Sequence, residues 1–103
     1  MLSILKNMFS SSPKVDLGEV IANKAIILDV RTKAEYAGGH LKGSVNIPLQ
    51  SLESGLSKLK KDKTVVTCCA SGARSSMAKS ILQRNGFAEV HNGGSWTNLK
   101  QYE

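Results

Sequence analysis

The stretch Val65-Val-Thr-Cys-Cys-Ala-Ser-Gly-Ala-Arg-Ser75 decides how the rest of the chain is read. Residues 64–68 form an apolar run of strand length. Residues 75–85 read as a helix, because Met77, Ala78, Ile81 and Leu82 recur at helical spacing. Small residues join the two. Cys69 therefore stands at the C-terminal end of a predicted strand and faces the N-terminus of a predicted helix. Unpaired N–H groups and the helix dipole favour negative charge at such a point. The junction suits a thiolate or an anion.

The pattern extends in both directions. Ala25-Ile-Ile-Leu-Asp-Val30 is a continuous apolar run, as expected of a strand buried on both faces. Asp16 is placed to cap a short helix over residues 17–22. Thr32-Lys-Ala-Glu35 is a capping box that opens a helix through Tyr36, and Gly38-Gly39 ends it. Residues 44–47 form a short strand stopped by Pro48. Leu52, Leu56 and Leu59 give residues 51–59 helical spacing, weakened by Gly55. Gly86 sits where a helix C′ residue belongs. Residues 88–91 form a last short strand, after which Gly93-Gly94 begins a turn. Strands alternating with helices predict an α/β fold: a parallel sheet with helices on both faces. Ligands of such sheets bind at the carboxyl ends of strands, where Cys69 falls.

At 103 residues the chain has room for one domain. Only five residues are aromatic, so Leu, Ile, Val and Ala must supply the core. The net charge of +6 is spread along the chain, apart from Lys58, Lys60, Lys61 and Lys63. A field that draws small anions to a cleft fits this better than a nucleic-acid surface. Neighbouring cysteines make a poor structural disulfide, so the expected compartment is reducing and the expected location cytoplasmic. No stretch approaches the ~20 apolar residues that span a membrane. Residues 1–9 are apolar but broken by Lys6 and Asn7, and lack a signal-peptide core. With the linker Ser10-Ser-Ser-Pro13 they predict a leader and linker over residues 1–12 and a domain over 13–103.

A free cysteine with a pKa near ~8.5 is only about 3% thiolate at pH 7. A drop of about two units gives about 75% thiolate, equivalent to about 2.7 kcal/mol. The loop that follows Cys69 is built for such a drop. Ala70, Ser71, Gly72 and Ala73 are small enough for the backbone to curl, so its N–H groups converge as an anion nest. Gly72 suits a positive φ. Arg74 adds a cation, and Ser75 opens the helix. Cys68 reads as a small buried hydrophobe.

Three segments together resemble the rhodanese (sulfurtransferase) domain. They are Leu28-Asp-Val-Arg-Thr-Lys-Ala-Glu-Tyr36 with Gly39-His-Leu-Lys-Gly-Ser-Val-Asn-Ile-Pro48, then residues 65–75, then Gly86-Phe87, Val90 and Gly93-Gly94-Ser-Trp96. The resemblance covers residues 14–98. It implies a single rhodanese-like domain with a mostly parallel sheet of about five strands. It also places the nucleophile on Cys69 and the active-site loop on residues 69–74. The implied chemistry is ping-pong transfer of a sulfane sulfur through a Cys69 persulfide. The donor is a small anion such as thiosulfate; the acceptor is cyanide, a small thiol or a protein thiol. Neither metal nor organic cofactor is implied.

Two other readings use the same residues. Counted from Cys68, the loop to Arg74 is one residue longer and matches the phosphate cradle of cysteine-dependent phosphatases of the same fold. The Gly72 position and the Cys-x-Ser-Gly-x-Arg-Ser string favour Cys69. A non-catalytic sulfur carrier or binding module is the third reading. Asp29 and Arg31 are candidate supporting residues, expected to form with Glu35 an Arg–carboxylate network that fixes the loops. His40 is expected to fix its loop, and Trp96 to cover one end of the core. The chain ends soon after Trp96, so the final helix of the family must be short or missing. Residues 2–9 are a candidate cover for that surface.

Overall fold

Leu28, Asp29 and Val30 are almost fully buried, as the unbroken apolar run around them requires. The computed structural model describes residues 15–103, so the predicted leader, linker and N-terminal cover lie outside the described residues. Strand β1, Ile26–Asp29, is flanked by β2, Val45–Asn46, and by β3, Val65–Cys69; β3 in turn pairs with β4, Val90–Ser95. The order is β2-β1-β3-β4 and every pairing is parallel. The described residues form four strands, where the family resemblance implied about five.

All five residues of β3 are buried, which marks it as the central strand. Alternation along it divides the core. Val65 and Cys69 join Leu28, Leu52, Ala78, Leu82 and Phe87 on one face. Val66 and Cys68 join Leu41 and Leu99 on the other, with Leu17, Val20, Ile21 and Trp96 packed against them. Helices thus cover both faces, as predicted. Each fully buried Leu contributes about 1.5–3 kcal/mol of transfer free energy.

Helix α1, Leu17–Ala22, is capped by Asp16, whose carboxylate accepts the Glu19 N–H. Helix α2, Lys33–Ala37, carries the complete Thr32/Glu35 capping box. Residues 51–59 do not form one helix. They divide into a 3-10 turn, Leu49–Ser51, helix α3, Leu52–Gly55, and a second 3-10 turn, Leu56–Lys58. Gly55 breaks the run, and its bare Cα lets the Ile47 side chain approach; a Cβ there would lie 3.1 Å from Ile47 Cγ2. Helix α4, Ala73–Arg84, starts two residues before the expected position. Gly72, at φ +111°, turns the chain out of β3 early enough to put Ala73 and Arg74 in the first turn. The last described element is a 3-10 helix, Trp96–Tyr102, that buries Leu99.

The last strand departs most from expectation. It runs over Val90–Ser95, and Gly93-Gly94 lies inside it. The register of β4 against β3 shifts between Thr67 and Cys69, a β-bulge. Gly93 is needed there for space. A Cβ would sit 2.8 Å from the Thr67 carbonyl oxygen and 2.9 Å from Val66 Cγ1. Gly93→Ala is therefore expected to destabilise the domain by about 1–3 kcal/mol through overpacking. Urea unfolding checks this, with a lower midpoint at an unchanged slope.

Candidate active site at the end of β3

Central burial and a left-handed glycine together place the sulfur of Cys69. The strand carries the residue into the core, where it is 1% exposed, and Gly72 folds the loop back over it. The Gly72 N–H donates to Cys69 Sγ at 2.9 Å and the Ser75 N–H at 3.4 Å. Burial opposes ionisation of this thiol. The Ser75 N–H and hydroxyl, with the Gly72 and Ser71 N–H groups, outweigh it and hold the thiol below its ordinary pKa. Ala70, Ser71 and Ala73 form the exposed rim of the loop.

Cys68 is the opposite case. It lies on the other face among Leu41, Val66 and Leu99. Burial first, then the charge of Asp29, pushes its thiol up to about 12, against the opposing pull of Arg31. At neutral pH it is a neutral hydrophobe, and no backbone nest surrounds it.

Arg74 does not point alone into solvent. Its Nη1 and Nη2 donate to Glu35 Oε1 and Oε2 at 2.7 and 3.0 Å. Glu35 Oε1 also accepts the Thr32 N–H at 2.9 Å, so one carboxylate caps α2 and clasps α4. Arg74 then lines a cavity of about 240 Å³ with Val30, Thr32, Pro48, Leu49 and Gln50, all at the carboxyl ends of strands. Cys69 itself is not among the lining residues.

Asp29 and Arg31 lie behind this layer as a buried ion pair, with Nη2 2.7 Å from Oδ2. Arg31 also donates to the Gly39 carbonyl at 2.7 Å and stacks over Trp96 at 4.5 Å. The pair joins loops rather than facing the cavity. His40 Nδ1 lies 2.7 Å from the Tyr36 carbonyl and its ring stacks on Tyr36, so it fixes its own loop.

Three contributors escape a reading of the sequence. Thr67 Oγ1 donates to the Ser75 carbonyl at 2.9 Å. Asn46 Nδ2 donates to the Asp29 and Arg31 carbonyls at 2.9 and 3.0 Å. Asn92 accepts the Ser75 hydroxyl at 2.5 Å. Each depends on strand pairing, and no local motif marks it. Glu35 was visible as a cap and as part of the expected Arg–carboxylate network, but its direct hold on Arg74 was not.

Comparison with known proteins bears on the fold and the family. The family of the rhodanese-like domain matches residues 14–101. A putative sulfur carrier protein of Bacillus subtilis, YrkF, is 39% identical over 64% of this chain and 36% of its own length. The thiosulfate sulfurtransferase PspE of Escherichia coli is 36% identical over 65% of this chain and 66% of its own. The human single-domain sulfurtransferase TSTD1 superposes with a TM-score of 0.75 at 27% identity, covering 90% of this chain and 99% of its own. The chain spans roughly a third to two thirds of the length of the first curated relatives it matches.

The Glu35–Arg74 clasp has a pH signature. Hydrogen bonding to Arg74, then to the Thr32 N–H, lowers the Glu35 carboxyl from 4.5 to about 2. Its contribution to stability is present above the ordinary value and is lost as pH falls through about 2. Glu35→Gln is expected to lower stability at neutral pH and to flatten the acid decline between 4.5 and about 2, measured by chemical unfolding at each pH.

Proposed function

The chain belongs to the rhodanese-like domain family, and we propose that it is a sulfurtransferase whose nucleophile is Cys69. The observation that carries the reading is the pair of loop N–H groups, from Gly72 and Ser75, aimed at the Cys69 sulfur. They favour a thiolate at neutral pH, the form that attacks. Cys69 thiolate attacks the outer sulfur of thiosulfate. A new S–S bond forms, the S–S bond of thiosulfate breaks, and its electron pair leaves with sulfite. The Cys69 persulfide anion then gives its outer sulfur to cyanide or a thiolate, which restores the Cys69 thiolate. The charge count is unchanged at each step, so no proton or external electron is needed.

The loop residues have distinct parts in this scheme. Gly72 and Ser75 hold negative charge on sulfur, first the thiolate and then the persulfide. Ala70, Ser71 and Ala73 leave the rim open to a small anion. Arg74, whose charge is shared with Glu35, supplies a cation at the cavity mouth. Asp29 and Arg31 act as framework. Free-thiol chemistry fits a reducing compartment such as the cytoplasm. Among the described residues no helix is long and apolar enough to cross a membrane.

A second reading, a sulfur carrier that loads Cys69 and discharges only to a partner, is favoured by the likeness to YrkF. The phosphatase alternative has little support, because Cys68 is un-ionised and faces away from the loop. Intact-mass measurement after incubation with thiosulfate separates these cases. Native protein and Cys68→Ser are expected to gain one sulfur atom, and Cys69→Ser none. Discharge of that sulfur by cyanide or a small thiol supports the transferase. Retention against both supports the carrier, and loading on Cys68 overturns the assignment of the nucleophile.

A further inference from the structure

The cavity at the carboxyl ends of the strands measures about 240 Å³, and Val30, Pro48 and Leu49 give it an apolar wall. A dry cavity of ~150 Å³ already takes a benzene ring. Val30 and Leu49 pack in the same half of the core as Cys69, so this wall stands on the face of the sheet that carries the reactive thiol. Arg74 is the charged residue among those that line the cavity. It is also close to the sulfur through the chain. The Ser75 nitrogen lies 3.4 Å from Cys69 Sγ, which puts the Arg74 Cα within about 6 Å of that atom. Thiosulfate has no apolar part to set against such a wall.

The charge at the cavity is less than that of a free arginine. Nη1 and Nη2 of Arg74 each give one N–H to the Glu35 carboxylate, at 2.7 and 3.0 Å. The Nε–H and one N–H on each Nη have no partner among the described residues and remain for a ligand. Glu35 is held by the Thr32 N–H and hydroxyl, so its charge stays beside the guanidinium. Asp29 and Arg31 pair with each other and add no net charge. Lys33 and Lys58 line a neighbouring cavity that shares Pro48. A dianion entering here meets one cation, already shared with a carboxylate, beside a thiolate. A monoanion is repelled less.

We propose that Glu35 is a specificity-determining residue: by sharing the charge of Arg74 it turns the cavity toward sulfur donors that carry one negative charge and an apolar group. The class is the organic thiosulfonates, R–SO2–S−, in preference to dianionic thiosulfate. The proposal rests on Cys69 being the nucleophile of the sulfurtransferase reading above. Cys69 thiolate attacks the terminal sulfur of the donor. A new S–S bond forms, the S–S bond of the donor breaks, and its electron pair leaves with the sulfinate, R–SO2−. The remaining N–H groups of Arg74 meet the sulfinate oxygens, and the wall of Val30, Pro48 and Leu49 takes the R group.

The test is kcat/KM of the full chain for three donors, with cyanide as acceptor: thiosulfate, methanethiosulfonate and benzenethiosulfonate. The first two differ in charge; the last two share one charge and differ in the apolar group. Ratios between variant and native protein cancel the donors' own reactivities. Glu35→Gln keeps an oxygen for the Thr32 cap and removes the charge. It is expected to raise kcat/KM for thiosulfate relative to methanethiosulfonate about fivefold at low ionic strength, a gain that fades in high salt. Leu49→Ala is expected to lower kcat/KM for benzenethiosulfonate relative to methanethiosulfonate several-fold. An unchanged or lowered thiosulfate ratio in Glu35→Gln overturns the proposal, as does a gain that persists in high salt or an unchanged benzene-to-methane ratio in Leu49→Ala. Native protein decides the matter if the variants do not fold. Its preference for benzenethiosulfonate over thiosulfate is expected to exceed that of free cysteine about tenfold, and a preference no greater than that of cysteine refutes the proposal. Failure of Cys69 to take sulfur from all three donors counts against the sulfurtransferase reading; loading without the expected ratios counts against the donor class alone.

Discussion

Two opposite charges removed from water hold this domain in register. Asp29 and Arg31 are 0% and 4% exposed, and desolvating each ion costs several kcal/mol. The geometry offsets that cost. Arg31 Nε contacts both carboxylate oxygens at 3.0 Å, Nη2 contacts one at 2.7 Å, and the Arg31 N–H donates to Oδ1 at 3.0 Å. The remaining donors reach the Gly39 and Glu35 carbonyls. Asn46 of β2 bonds the backbone on both sides of the pair. The end of β1, helix α2, the turn at Gly39, the edge strand and Trp96 are thereby joined at one point. Leaving one such charge unpaired costs about 3–5 kcal/mol, a large fraction of a small domain's stability.

The cradle around Cys69 is built outward from that point. The ion pair fixes α2, α2 presents Glu35, and Glu35 fixes the first turn of α4 through Arg74. From the other side, β3 and β4 grip Ser75 through Thr67 and Asn92. The loop over the sulfur is thus held at both ends by the side chains of Glu35, Thr67 and Asn92, which bond its residues and not the sulfur. Its N–H groups are directed before any ligand arrives, which is what electrostatic preorganisation requires.

What the sequence revealed follows the range of the interactions involved. The α/β order, both helix caps and the left-handed Gly72 are local properties, and each was legible from a few neighbouring residues. The position of Cys69 at a strand end was legible for the same reason. Helix 51–59 was misjudged because Leu spacing outweighed Gly55, whose role is to admit Ile47 from another element. The Gly93-Gly94 pair read as a turn because glycines usually mark turns. Its reason is instead a close approach of β4 to Thr67, which exists only once the strands have paired. Asn92 was invisible on the same ground. Arg74 was legible as a cation near the loop, but its sharing with Glu35 needed the fold.

The split of the cysteine doublet across the sheet has one more consequence. A disulfide requires sulfurs about 2.05 Å apart, and side chains leaving opposite faces of a strand do not meet. Cys68 belongs to one half of the core and Cys69 to the other. In the proposed reading, a sulfur atom carried on Cys69 would have no neighbouring thiol to expel it. The domain would then act as a latch with a single key side, its loaded state discharged by an acceptor from outside.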